Sequence, residues 1–310
     1  MSLRVVLLIG PTAVGKTALA CRVLDRLAGR VQLISADSAM VYRGLDIGTA
    51  KPTRQELQRY PHALIDIRDP ADPYTAADFV VDADRCVREA HAVGNVPVIV
   101  GGTMLYVKRF LEGIAELPPA DPDLRAALQM RLVREGGEVL HAELARHDTQ
   151  AAAGIHPNNP QRLLRALEVV LLSGQPISAQ WHDQKSAVER LGAEIHLVGV
   201  APVSRGELHE RISTRFAQML EAGFLEEVRG LFARPELHAS LPAMRAVGYR
   251  QAWQHLAGEL SHAEFVAAAL TATRRLAKKQ LTWMRQWPEL QVHSSTEMDQ
   301  IVEEIVLNRR

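Results

Sequence analysis

The stretch LLIGPTAVGKTALA, Leu7–Ala20, decides how the rest of the chain is read. It closes a short apolar run, Val5–Ile9, of the kind that forms a parallel strand buried on both faces. Gly10, Pro11, Thr12, Ala13, Val14, Gly15, Lys16 and Thr17 then match G-x-x-x-x-G-K-[ST] at every position. Glycines let backbone N–H groups turn inward around phosphate oxygens, and the following helix adds the positive end of its dipole. Lys16 supplies a compact positive charge, and the Thr17 hydroxyl is of the type that binds Mg2+ in such loops. Leu19, Val23, Leu24 and Leu27 then fall on one side of a helix beginning near Lys16. The pattern specifies a polyphosphate site. Taken alone it reads as a nucleotide-binding, ATP-binding or GTP-binding loop.

Three more apolar runs extend this start into a fold: VQLIS (Val31–Ser35), VPVIVGGT (Val96–Thr103) and IHLVGVA (Ile195–Ala201). Strands alternating with helical text predict an α/β core, a parallel sheet flanked by helices. Between the third and fourth runs the texture changes. A proline-rich break, ELPPADPD, leads into a helix with Asp121 as N-cap and Pro122 in its first turn. Helical text continues to QRLLRALEVVLLSG, where Gly174 is the expected stop. We therefore expect a catalytic core from 1–116 and 193–310, interrupted by a mostly helical insertion, 117–192. Ser204 with Glu207, and Ser261 with Glu264, have capping-box spacing at the starts of two later helices. In the second of these, Phe265, Ala269, Leu276 and Met284 share one face.

Bulk properties narrow the function classes. The 310 residues are 47% hydrophobic and 23% charged, ordinary for a folded core, with zero formal net charge. No global field draws the chain to nucleic acid or membrane, so such a partner would need a local patch. One is present: Arg274, Arg275, Lys278, Lys279 and Arg285 lie within one stretch that has no acidic residue, and Arg162 and Arg165 form a smaller group. Two cysteines, Cys21 and Cys86, exclude a disulfide framework, and the 12 histidines show no metal-ligand spacing. With no run of about 18 apolar residues, a cytoplasmic protein without a membrane partner is expected.

Asp37 follows the second strand, at the end that faces the ligand crevice in a parallel sheet. A carboxylate there can take a proton from an incoming nucleophile, or it can cap a local turn. Both readings stand on the residue alone. No Asn-Lys-x-Asp motif is present to read guanine, and the third strand ends in Gly101-Gly102-Thr103 where an ATPase usually places a metal-holding acid. Asp66, at the end of HALID, is another candidate for that role. A nucleoside or small-molecule kinase using ATP, with Asp37 as base, is the alternative enzyme reading. Trp283 and Trp287 read as core on the residues alone.

GPTAVGKTALA, ISADSAMVYRGLDIGTAKP, PHALIDIRDP, YTAADF, GGTMLYVK, NPQRLLRALEV, RAVGYRQAW and ATRRLAKKQLTWMRQW, in that order, closely resemble the tRNA dimethylallyltransferase (tRNA isopentenyltransferase) family of bacterial type. The resemblance spans about Val5–Trp287. It implies a P-loop NTPase/kinase-like core with a helical insertion. It also implies transfer of a dimethylallyl group from dimethylallyl diphosphate to N6 of adenosine-37, beside the tRNA anticodon, with pyrophosphate released and Mg2+ as cofactor. A monomer without an obligate protein partner is the family expectation.

Carried over residue by residue, the family pattern makes Asp37 the general base, places Thr103 near the reacting centre, and gives Lys16 and the 10–17 loop the diphosphate, with Thr17 on the metal. Asp37, Ser38, Ala39 and Met40, together with Thr103, fall at positions that contact tRNA. So do Arg125 and the run Gln161, Arg162, Leu163, Leu164 and Arg165. Arg245, Ala246, Val247, Gly248, Tyr249 and Arg250 form a further contact segment, and Lys278, Lys279, Gln280, Leu281, Thr282, Trp283, Met284 and Arg285 complete the set. Val14, Met40 and Lys279 depart from the commonest family wording. Val14 lacks a hydroxyl that could meet phosphate, Met40 lacks an amide for a base edge, and Lys279 lacks the planar fork of arginine.

Overall fold

The computed structural model describes residues 3–115 and 117–307. Residues 1, 2, 116 and 308–310, where the sequence-derived core has its outer limits, lie outside the described residues. The chain divides into two compact units, Met1–Leu111 with Ala187–Arg310, and Glu112–Ser186.

The first unit is built on a six-stranded sheet of β1 (Leu3–Ile9), β2 (Val31–Ala36), β3 (His62–Ala63), β4 (Val96–Gly101), β5 (Ala193–Ala201) and β6 (Gln291–Ser294). Its spatial order is β3-β2-β4-β1-β5-β6, and every pair is parallel. β1 sits between β4 and β5, with Leu8 opposite both Val100 and Val198. This central position explains its unbroken apolar text, since both faces are covered. The four strands expected from sequence are the inner ones. The two edge strands gave no signal, because β3 has two residues and β6 reads QVHS, half-exposed.

Helices in chain order are α1 (Lys16–Arg26), α2 (Arg54–Arg59), α3 (Ala76–Ala92), α4 (Met104–Glu112), α5 (Pro122–Glu135), α6 (Gly137–His147) and α7 (Thr149–Gly154). There follow α8 (Pro160–Ser173), α9 (Ala187–Leu191), α10 (Arg205–Glu221), α11 (Phe224–Phe232), α12 (Tyr249–Leu256), α13 (His262–Met284) and α14 (Met298–Leu307). On one sheet face, Leu19, Val23 and Leu27 of the α1 segment and Ile301, Val302 and Ile305 of α14 join Val6, Leu8, Val98 and Val198 in one buried cluster. α3 packs on β2 and β4. α13 begins with the expected capping box, Ser261 with Glu264. α10 is only half so: the Ser204 hydroxyl accepts the Glu207 N–H, while the Glu207 carboxylate pairs with Arg211.

The second unit is helical, α5 to α8 around Leu128, Leu140, Leu144, Leu163 and Leu167. Asp121 caps α5 by accepting from Asp123 and Leu124 N–H, and Gly174 ends α8 at a φ of 68°. α9, assigned to the insertion by sequence, packs on β5 and belongs to the first unit. No helix among the described residues is long and apolar enough to cross a membrane.

Candidate functional site

The phosphate loop leaves β1 and enters α1 with two left-handed residues, Ala13 (φ 65°) and Gly15 (φ 100°). A non-glycine residue in that region costs about 1–2 kcal/mol, a strain typical of ligand-binding turns. Gly10 cannot carry a side chain, because a Cβ there would meet the Val200 carbonyl oxygen at 2.5 Å. Val14 is fully buried in the core cluster with Leu19 and Leu8. Its side chain is taken up by core packing, so a hydroxyl at this position would be buried among apolar residues. Thr17 is exposed on the first turn of α1.

Lys16 Nζ donates to the Pro11 carbonyl at 2.8 Å. Burial pushes its pKa down to about 8, with Asp37 acting upward and Arg215 downward. Arg215, on α10, donates to Thr12 Oγ1 at 2.6 Å. Its own pKa is lowered by burial and raised in part by Asp37. Arg215 is a site residue that sequence reading missed. It lies some 200 positions from the loop (|i−j| = 203), and only the packing of α10 brings it there.

Of the two readings left open for it, Asp37 shows the turn cap. Its Oδ1 caps the turn, accepting N–H from Ala39 at 2.9 Å and Met40 at 3.3 Å. Oδ2 has no protein donor among the described residues, and the side chain lines the cavity described below. Thr103 holds the same turn: its Oγ1 accepts Ser38 N–H at 3.0 Å and donates to Ser38 Oγ at 3.2 Å. Gln280 is buried and bridges loop to strand, accepting Thr12 N–H at 2.9 Å and donating to the Gly102 carbonyl at 2.8 Å. Gly101 is required here, since a Cβ would lie 2.2 Å from the Ala36 oxygen, whereas a Cβ at Gly102 would push on Gln280 Nε2, 2.5 Å away. Asp66, the other metal-holding candidate, takes the buried Lys51 ammonium together with Asp46, a pairing that fastens the 46–51 loop.

Several of these groups line a cavity of about 520 Å3, Lys16 and Asp66 not among them. Thr12, Asp37, Gly102, Thr103, Arg215 and Gln280 line its polar part; Tyr42, Met104, Ile212, Phe216, Met219, Phe224, Leu276 and Tyr249 line the rest. Lys279, Arg245 and Trp283 also border it. Trp283 is therefore not core: it is half-buried with Lys108 Nζ 5.8 Å from its ring centroid. The arrangement can hold a polyanion at one part and an apolar group beside it, with a carboxylate oxygen open to the same space.

The expected RNA contacts divide by exposure. Arg245, Arg250, Lys278, Lys279, Thr282 and Arg285 are exposed, as are Gln161, Arg162 and Arg125 in the helical unit. Leu163, Leu164, Tyr249, Gln280 and Met284 are buried, so their side chains serve packing or internal bonds. Leu281 packs with Leu208, Ile212 and Ala277, while Ala246 and Val247 border the cavity. Arg125 and Arg165 both donate to Glu168, at 2.6 and 2.7 Å, and Glu168 is fully buried. Burial pushes the Glu168 pKa up, but the two guanidinium groups and the Asp121 N–H bring it below the usual carboxylate value.

The fold and site define a P-loop α/β protein in which Thr12 of the loop borders a largely apolar cavity. Residues 40–287 match the family model described as IPP transferase. A tRNA dimethylallyltransferase of Chromohalobacter salexigens is 54% identical over 281 residues, 91% of this chain and 89% of that protein. The crystal structure of the full-length tRNA isopentenylpyrophosphate transferase from Bacillus halodurans is 34% identical, with a TM-score of 0.70, covering 98% of this chain and 96% of that one. A eukaryotic dimethylallyltransferase acting on tRNA shares the fold, with a TM-score of 0.80 at 22% identity over 96% of this chain and 75% of that one. The chain belongs to the IPP transferase family.

Proposed function

We propose that the protein, acting in the cytoplasm, transfers a dimethylallyl group from dimethylallyl diphosphate to N6 of adenosine-37 in the tRNA anticodon loop. The reading is carried by one observation: Thr12 of the phosphate loop, Arg215, Asp37 and an apolar chamber share a single cavity. The N6 lone pair forms the new bond to C1 of the dimethylallyl group as the C1–O bond breaks. That bonding pair leaves on the diphosphate oxygen. Lys16, the loop amides and Arg215 stabilise the charge growing there by fixed electrostatics. Asp37 Oδ2 takes the proton released from N6. The adenine has to leave the loop stack to enter the cavity, a cost smaller for a single-stranded loop than for a duplex.

Thr17 offers a hard hydroxyl oxygen on an exposed turn beside the loop, and no group of three His, Cys, Asp or Glu among the described residues could hold a metal. A hard hydroxyl oxygen fits Mg2+, and Thr17 would be the residue that holds the ion. Bound there, the ion would neutralise charge on the leaving diphosphate.

Asp37→Asn tests the base, because the amide oxygen can still cap Ala39 and Met40. With dimethylallyl diphosphate, Mg2+ and an anticodon stem-loop, turnover should fall by about 10²–10⁴ while RNA affinity is kept. Equal losses in turnover and affinity would remove Asp37 as the base. Turnover supported by ATP alone would install the kinase reading instead.

A further inference from the structure

The apolar part of the cavity is lined by pieces from three separated stretches of chain. Gly48 lies on the loop after β2, Phe216 and Phe224 come from α10 and α11, and Tyr249 opens α12; all line the cavity. The rings of Phe224 and Tyr249 meet edge to face at 5.1 Å, and Phe224 meets Phe216 at 6.2 Å. Phe265, fully buried, backs both phenylalanines at 5.8 and 6.5 Å. Gly48 fits against this wall without slack. A Cβ there would lie 2.2 Å from Phe224 and 2.7 Å from Tyr249.

A single carboxylate ties these pieces together. Glu227, half-buried on α11, accepts the N–H groups of Asp46 at 2.9 Å, Ile47 at 2.7 Å and Gly48 at 3.2 Å. Its Oε1 also accepts the Tyr249 hydroxyl at 2.5 Å. Burial, then Glu227 itself, raises the phenol pKa far above its usual value, so Tyr249 stays a donor. All the protons converging on Glu227 come from fixed donors. Glutamine has one acceptor oxygen and would turn an NH2 toward donors, leaving some of them unmet.

We propose that Glu227 is a positioning residue that sets the depth of the prenyl end of the cavity, holding the 46–48 loop and Tyr249 against Phe224 so that a five-carbon chain fits and a ten-carbon chain does not. This rests on the reading that the apolar chamber receives the dimethylallyl group. A pocket discriminates one methylene by about 10–200-fold, and it does so only while its end wall stays in place.

The test compares dimethylallyl diphosphate with geranyl diphosphate as donors to an anticodon stem-loop, for the wild type, Glu227→Gln, Tyr249→Phe and the double variant. Glu227→Gln should lower kcat/KM for the five-carbon donor and raise the geranyl-to-dimethylallyl ratio by about tenfold or more. Tyr249→Phe should shift the ratio the same way but less. The double variant should not exceed Glu227→Gln, since both changes act on one contact. A merely structural role would lower both donors together and leave the ratio unchanged, and that result overturns the proposal. If Glu227→Gln does not fold, the Tyr249→Phe ratio decides alone: unchanged, it overturns the proposal. A wild type that uses neither donor would overturn the functional reading itself.

Discussion

Lys16 shows how a residue legible in sequence acquires its behaviour from its surroundings. The motif names it as the phosphate-binding lysine, but its pKa of about 8 comes from burial and from the neighbouring Asp37 and Arg215. In the free protein the ammonium is charged below about pH 8 and neutral above it. The kcat/KM for the diphosphate donor, which reports the free enzyme, should therefore fall as pH rises through about 8. The limb in kcat should lie at higher pH, because a bound polyanion favours the charged lysine. A pH profile of both parameters checks this; a kcat/KM without a descending limb in that region would take Lys16 out of donor binding. Val14 makes the opposite case. Its departure from the family wording looks functional in the text and is silent in the fold, because the side chain belongs to the core. Arg215 had no signal of its own, since an arginine in a helix has many uses and only the Thr12 contact selects one.

Among the elements, α13 has its role divided around its circumference. Phe265, Ala269, Ala277, Gln280 and Met284 are buried, while Arg275, Lys278, Lys279 and Arg285 are exposed. The apolar spacing announced Phe265, Ala269 and Met284 on that face, while Leu276, expected with them, is half-buried and lines the cavity. The spacing did not announce Gln280, a polar residue that is inside because the Thr12 N–H and the Gly102 carbonyl pair with it. Arg274 differs from its basic neighbours, as it donates to Ser213 on α10. Replacing Lys278 and Lys279 with alanine should weaken stem-loop binding and reduce the slope of log affinity against log salt by about 1–2. Filter binding over a salt series measures it. An unaltered slope would assign both lysines to a solvated surface. The edge strands were illegible for a simpler reason: β6 is short and half-exposed, so it needs no apolar pattern, only the neighbouring β5 backbone.

For the molecule as a whole, the main consequence of the fold is that its first unit is assembled from two distant segments of chain. β1 pairs with β5 along its entire length, joining residues 3–9 to 193–199. Among the described residues, the cluster that joins the sheet to α1 and α14 contains none from 112–186. The helical unit has its own buried cluster, and its two ends come together: a Cβ at Gly113 would lie 2.2 Å from the Lys185 carbonyl oxygen. A chain with 112–186 replaced by a short Gly/Ser linker should therefore keep one cooperative thermal transition, followed by circular dichroism. Loss of that transition would show that the first unit depends on the helical one to fold. The sequence alone determined the inner strands, the phosphate loop, the helix caps and the candidate base. Each depends on local backbone chemistry or on a spacing of a few residues. Tertiary structure decided which groups share the cavity: Arg215 beside Thr12, Gln280 between loop and strand, and Glu227 binding Tyr249 to the 46–48 loop. Those contacts join residues far apart in the chain. They form only where packing brings the elements together, so no local pattern encodes them.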